Sequence, residues 1–159
     1  MNVIEVVTET TLYLQGVPEV EDFTRVGSST IPGCEPNDVD FLVLLKSPGP
    51  KVPTGDAKVD APHPFDHMMY IVETFKKDRW SRCSGEYDDQ DETWAALRKG
   101  YANLIVTTSP EWRDRCEQAN NVCRLLHITD KVQRVAVFRM LRDHMSVECA
   151  RNIIDAGTI

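Results

Sequence analysis

The stretch that decides the fold is VGSSTIPGCEPNDVDFLVLL, residues 26–45. It closes on VDFLVLL, 39–45, which is apolar at nearly every position. Strands buried on both faces read this way, so the run predicts a central strand. Two aspartates, Asp38 and Asp40, stand at its start, and a Gly27–Ser28 pair precedes them. In extended chain, side chains two apart share a side, with Cα atoms roughly 7 Å apart. Two carboxylates so close repel unless something positive lies between them. A hard divalent cation is the natural partner, since magnesium takes one or two carboxylates together with phosphate oxygens. Glycine lets the backbone approach a phosphate. The serine hydroxyl and the amides of the turn can point at the same anion. The stretch thus joins a candidate metal site to a candidate phosphate site, the two parts that metal-assisted nucleotidyl transfer requires. The bland alternative makes the aspartates an ordinary turn before a strand. That reading suits a lone Asp-x-Asp; the Gly-Ser pair upstream tips the balance toward a site.

The surrounding chain is that of one globular domain, 1–159, with 42% apolar and 27% charged residues. A chain of this length can bury a core without disulfides or a structural metal. Its net charge of −7 and pI near 5.1 argue against broad binding to DNA or any other nucleic-acid backbone. The five cysteines are odd in number and form no CxxC, so neither a disulfide framework nor a zinc site is expected. No apolar run is long enough to span a membrane and no signal peptide is evident. The simplest expectation is a soluble protein of a reducing cytoplasm, without a membrane partner.

Helical spacing of Val3, Val7 and Leu14 favours a helix over 2–15, stopped by Gly16 and Pro18, with a strand as the alternative that the frequent Thr and Val leave open. DFTRV, 22–26, predicts a short strand ending at Gly27. Residues 47–64 hold five of the nine prolines and two glycines and read as an irregular loop. Phe65, Met68, Met69, Val72 and Phe75 or Lys76 predict an amphipathic helix over 65–77. GEYDDQDE, 85–92, carries five carboxylates and reads as solvated loop. TWAALRKGYANLIVTT predicts a hairpin, with strands at 93–98 and 101–107 turning at Lys99–Gly100. Ser109–Pro110–Glu111 opens a helix with Trp112, Cys116, Ala119, Cys123 and Leu126 inward. Thr129–Asp130 opens another with Val132, Val135, Phe138 and Leu141 inward, and Ser146 a last short one.

Gly27–Ser28 followed by Asp38-Val39-Asp40-Phe41-Leu42-Val43 resembles the signature of the DNA polymerase β-like nucleotidyltransferase superfamily: a Gly-Ser turn, a connector, then Asp-hydrophobic-Asp-hydrophobic. LRKGYANLIVT, 97–107, and DKVQRVAVFRMLRD, 130–143, are further similar to small single-domain nucleotidyltransferase-like proteins of tailed bacteriophages; on that likeness the compartment would be the host cytoplasm. The resemblance implies an α+β fold, a small mixed sheet with helices packed against it. It implies that Gly27 and Ser28 hold the β- and γ-phosphates of a nucleoside triphosphate and that Asp38 and Asp40 bind Mg2+ or Mn2+. It also implies a third carboxylate on a later strand, where this chain carries Asn103. Asparagine ligates weakly and takes no proton, so an acid from 85–92 would have to substitute, or the protein is slow, or it only binds nucleotide.

Other residues divide between two readings. Lys131 begins a helix, where a lysine suits a phosphate, or it is a solvated first-turn residue. Arg98 and Arg25 flank the presumed site and could contact phosphate or acceptor, or lie on the surface. Trp80, Trp94 and Trp112 could stack a base; the phase of Trp112 favours the core. His63 and His67 lack a third ligand and are set aside as a metal site. His127 and His144 lie near helix ends, where the dipole accounts for them. A cysteine nucleophile is set aside for want of an electropositive setting with a partner histidine, and no Walker-type loop is present. The sequence therefore predicts a magnesium-dependent nucleotidyltransferase that moves a nucleoside monophosphate to a hydroxyl of RNA, protein or a small molecule. The alternatives are a catalytically silent nucleotide-binding or host-protein-inhibiting member of the same fold, and an interaction protein in which the aspartates are structural.

Overall fold

The computed structural model describes residues 1–47, 55–56, 64–83 and 94–142. The proline-rich loop expected over 47–64 lies largely outside these residues, and the acidic segment 85–92, His63, His144 and the helix expected from Ser146 lie wholly outside. In chain order the elements are α1 (Val3–Gln15), β1 (Val20–Val26), a 3-10 turn (Ser28–Thr30), β2 (Val39–Leu45) and α2 (Pro64–Lys76). They continue with β3 (Ser81–Cys83), β4 (Trp94–Lys99), β5 (Ala102–Thr107), α3 (Pro110–Leu125) and α4 (Lys131–Arg142). The result is an α+β fold around one five-stranded mixed sheet, the architecture the resemblance implied.

The sheet order is β1-β2-β5-β4-β3. The β2–β5 pair is parallel and the other three are antiparallel. With β1 on one side and β5 on the other, β2 is interior, which is why 39–45 is apolar on both faces. Its odd-numbered residues Val39, Phe41, Val43 and Leu45 pack with Leu97, Leu104 and Val106 under Leu14 of α1 and Ile71 and Phe75 of α2. The opposite face, with Leu42, Trp94 and Ala96, meets Trp112, Ala119 and Cys123 of α3 and Val137, Phe138 and Leu141 of α4. The sheet is therefore the middle of three layers.

Local chemistry explains the element ends. Asn2 caps α1 through Glu5 N–H at 3.2 Å and Gly16 closes it. Ser109 caps α3 through Trp112 N–H at 3.2 Å with Pro110 in the first turn. Asp130 accepts from Gln133 N–H at 3.0 Å at the start of α4. Gly100, at φ 59°, makes the β4–β5 turn.

Four expectations need correction. Strand β1 starts at Val20, before 22, because a register irregularity between Val20 and Asp22 breaks its alternation. Strand β3 was not anticipated; three polar-flanked residues, SRC, carry no periodic signal, and only pairing with β4 makes them a strand. In α2 the buried positions are Ile71, Thr74 and Phe75, whereas Met69 is 40% exposed. In α4, Val132 is 76% exposed and Val137 is fully buried instead. The inward stripe of α4 is centred on 137, 138 and 141, and Val132 is out of phase with it. The three tryptophans are all buried: Trp80 stacks on Tyr13 at 5.7 Å, and Trp94 on Trp112 at 5.3 Å.

Phe75 is fully buried between α1 and the sheet. Phe75→Ala is expected to destabilise the fold by about 3–5 kcal/mol, and Val132→Ala to change it by no more than about 0.5 kcal/mol. Urea unfolding of the two variants checks both the core and the corrected phase of α4.

Candidate functional site

The site grows out of strand register. Asp40 on β2 lies beside Asn103 on β5, and Asn103 lies beside Arg98 on β4. Side chains of residues paired in neighbouring strands share a face. Asp40, Asn103 and Arg98 thus form a row on the face covered by α3 and α4, and Asp38 joins it from the bend before β2. Asn103 Nδ2 donates to Asp38 Oδ2 at 2.8 Å and to Asp40 Oδ1 at 3.0 Å. The orientation of this amide follows from its neighbours: carboxylates only accept, so the NH2 group must face them. Asn103 Oδ1 is left buried without a hydrogen-bond partner. Arg98 Nη2 comes within 3.8 Å of Asp38 Oδ2, but its side chain is half exposed, and such a contact contributes little. One neutral amide thus bridges the two carboxylates.

Gly27 follows Val26, the β1 residue paired with Asp40. Its backbone, φ 77° and ψ −164°, belongs to a region that glycine alone occupies readily. A Cβ here would stand 2.2 Å from Asp40 Oδ2. Glycine is therefore required twice, for the backbone angle and for the room that Asp40 takes. The Gly27 N–H donates to Asn120 Oδ1 of α3 at 2.8 Å, and Thr30 Oγ donates to the Gly27 carbonyl at 2.7 Å. Because that amide is engaged by Asn120, Gly27 serves the site by its missing side chain. Ser28 begins the 3-10 turn and lines the cleft, and Ser29 Oγ is buried without a partner. Arg25 braces the turn through the Ser29 carbonyl at 3.0 Å.

Asn120 is the site residue that sequence reading missed. It stands on the inward stripe of α3 between Cys116 and Cys123, where a polar residue is out of place. That was the available signal.

These groups open on a cleft of about 550 Å3 between the sheet and helices α3 and α4. Gly27, Ser28, Asp38, Asp40 and Asn103 line it from the sheet side. Lys131 and Arg134 line it from α4, and Arg98 does not. All four described cysteines, Cys34, Cys83, Cys116 and Cys123, also line it. Burial pushes the Cys83 thiol up, with Arg98 opposing and Asp40 and Asp38 adding to the shift. Burial likewise lifts Cys123 to about 11, with Arg134 opposing. Both are protonated at neutral pH, which removes them as nucleophiles. His67 Nδ1 is in hydrogen-bond contact with Thr108 Oγ at 2.9 Å, away from this cleft. Among the described residues no three His, Cys, Asp or Glu side chains converge as a metal cluster; the acidic centre is the Asp38–Asp40 pair.

No family model and no curated protein matches the chain. Among solved structures, the conserved protein GrpB from Enterococcus faecalis aligns over 89% of this chain and 90% of its own, at 12% identity and a TM-score of 0.44. At that distance the likeness says nothing about chemistry.

Gly27→Ala is expected to destabilise the protein by about 1–3 kcal/mol, through a backbone region closed to alanine. It should also displace the Asp40 carboxylate, which the chemical shifts of the Asn103 side-chain amide would report.

Proposed function

We propose that the cleft is a nucleoside-triphosphate site that works with a divalent cation, and that the protein is a nucleotidyltransferase. The observation that carries this reading is the convergence of Asp38 and Asp40 on one amide, facing a Gly27 turn kept free of any Cβ. The donor set suits magnesium or manganese: hard carboxylate oxygens, two in number, beside a turn that offers a serine hydroxyl. Bound at Asp38 and Asp40, the cation supplies charge neutralisation for the triphosphate oxygens and the departing pyrophosphate. Ser28 binds phosphate through its hydroxyl, and Gly27 gives the chain room to come close. Asn120 keeps that turn in place from α3. Asn103 orients both carboxylates. Lys131 and Arg98 add positive charge at the two margins of the site.

The acceptor is a hydroxyl of RNA, protein or a small molecule. Its proton goes to a group other than Asn103, whose neutral amide accepts none at physiological pH. A second reading, nucleotide binding without transfer, is favoured by that same residue: an amide stands at the position where the resemblance implies a third carboxylate.

Asp38→Asn and Asp40→Asn should each abolish magnesium-dependent nucleotide binding while leaving the fold intact, since each relieves like-charge repulsion. Calorimetric titration of the four ribonucleotides and four deoxynucleotides, with and without magnesium, checks this. Unchanged affinity in both variants would place the site elsewhere.

Release of pyrophosphate separates the two readings. If transfer is native to the cleft, the wild type turns over and Asn103→Asp, which adds a third negative ligand, raises the rate. If the protein only binds, pyrophosphate stays at background in the wild type even with nucleotide bound.

A further inference from the structure

Arg134 is a charged group for which the site as described has no use. It lines the cleft from α4, one turn after Lys131 on the same helix face. Among the described residues its side chain makes no ion pair and no hydrogen bond, and its Nε is buried without a partner. Arg134 faces Cys123 of α3, a thiol whose pKa burial raises and which offers no counter-charge. Of the three carboxylates lining the same cleft, Asp38 and Asp40 are bound by Asn103 instead, and exposed Glu35 forms no ion pair with Arg134.

A partly buried guanidinium with an unmet N–H is costly to the folded protein unless something satisfies it. The planar fork of arginine matches phosphate oxygens better than any other side chain does. We propose that Arg134 is a polyphosphate-binding residue, which grips the phosphate chain from the helical wall and makes the cleft select polyphosphates over monophosphates. The inference rests on the reading of the Asp38–Asp40 wall as a nucleotide site and adds its second wall. A chain of phosphates bridges the two: it meets carboxylates through a cation on the sheet and a guanidinium directly on the helix. Lys131 adds charge one turn earlier. The shared chemistry is the polyphosphate, whether it belongs to a nucleoside triphosphate or to free inorganic tripolyphosphate.

Calorimetric titration with MgATP, AMP and inorganic tripolyphosphate tests this on the wild type, Arg134→Gln, Arg134→Lys and Asp40→Asn. Arg134→Gln should weaken MgATP and tripolyphosphate by roughly 10- to 100-fold, the range of a charge-assisted contact, and AMP by less than about threefold. Arg134→Lys keeps the charge without the fork and should recover part of the loss. The unfolding midpoint of Arg134→Gln should not fall, because the residue has no hydrogen-bond or ion-pair partner among the described residues to lose. Unchanged affinity for MgATP and tripolyphosphate in Arg134→Gln overturns the inference and leaves the Asp38–Asp40 reading standing. Tripolyphosphate binding that needs Arg134 but ignores magnesium and Asp40→Asn sustains the inference and overturns that reading. A wild type that binds neither ligand overturns both. Should Arg134→Gln lose its fold, Arg134→Lys decides: tripolyphosphate affinity equal to wild type overturns the inference, and a several-fold loss sustains it.

Discussion

The Asn103 amide, donating to Asp38 and Asp40 at once, is the interaction on which the site depends. Two carboxylates brought this close would repel in the absence of any positive partner. An amide NH2 supplies two partial positive charges, one hydrogen to each carboxylate, and so steadies the pair. This arrangement in turn depends on the parallel register of β2 and β5, which sets Asp40 beside Asn103. A slip of one residue would turn Asn103 to the other face of the sheet, into the core of Leu104 and Val106. The dense apolar packing of that face therefore maintains the polar row on the opposite one.

The two faces of the sheet have different work. Under α1 and α2 the odd residues of β2 pack into a closed apolar core, with Phe75, Trp80 and Tyr13 around it. Under α3 and α4 the face is divided. Trp94, Trp112 and Phe138 pack ring against ring and anchor both helices, and the remainder of the face opens as the cleft. The helices contribute functional groups as well as cover: Asn120 from α3 holds the Gly27 turn, and Lys131 and Arg134 from α4 bring positive charge. Acids on the sheet and cations on the helix give the cleft a polarity across its width.

Much of this was legible in the chain. The apolar run at 39–45 declared a central strand because a strand buried on both faces can tolerate little polarity. Ser109–Pro110 and Asp130 declared helix starts because the chemistry of a cap is local and does not wait for tertiary structure. The Gly27–Ser28 and Asp38–Asp40 pairs marked a candidate site because glycine and adjacent like charges are both costly unless used. Less local features were lost. The short β3 exists by pairing alone, and the phase of α4 was misjudged at Val132 because a valine near a helix start reads as apolar whichever way it points.

What the sequence determined by itself was the set of parts: the central strand, the turn, two acids on one side of extended chain, and an asparagine on a later strand. Only the tertiary structure decided how the parts meet. It put Asn103 within hydrogen-bond reach of both acids, because parallel pairing is a contact between strands more than sixty residues apart and leaves no mark in the spacing of either. It brought Asn120 to Gly27 across an even longer stretch of chain, and it set Arg134 in the cleft with no ion pair among the described residues. Periodicity reports which way a side chain faces within its own element; what it meets there is fixed by the packing of elements that the sequence lists far apart.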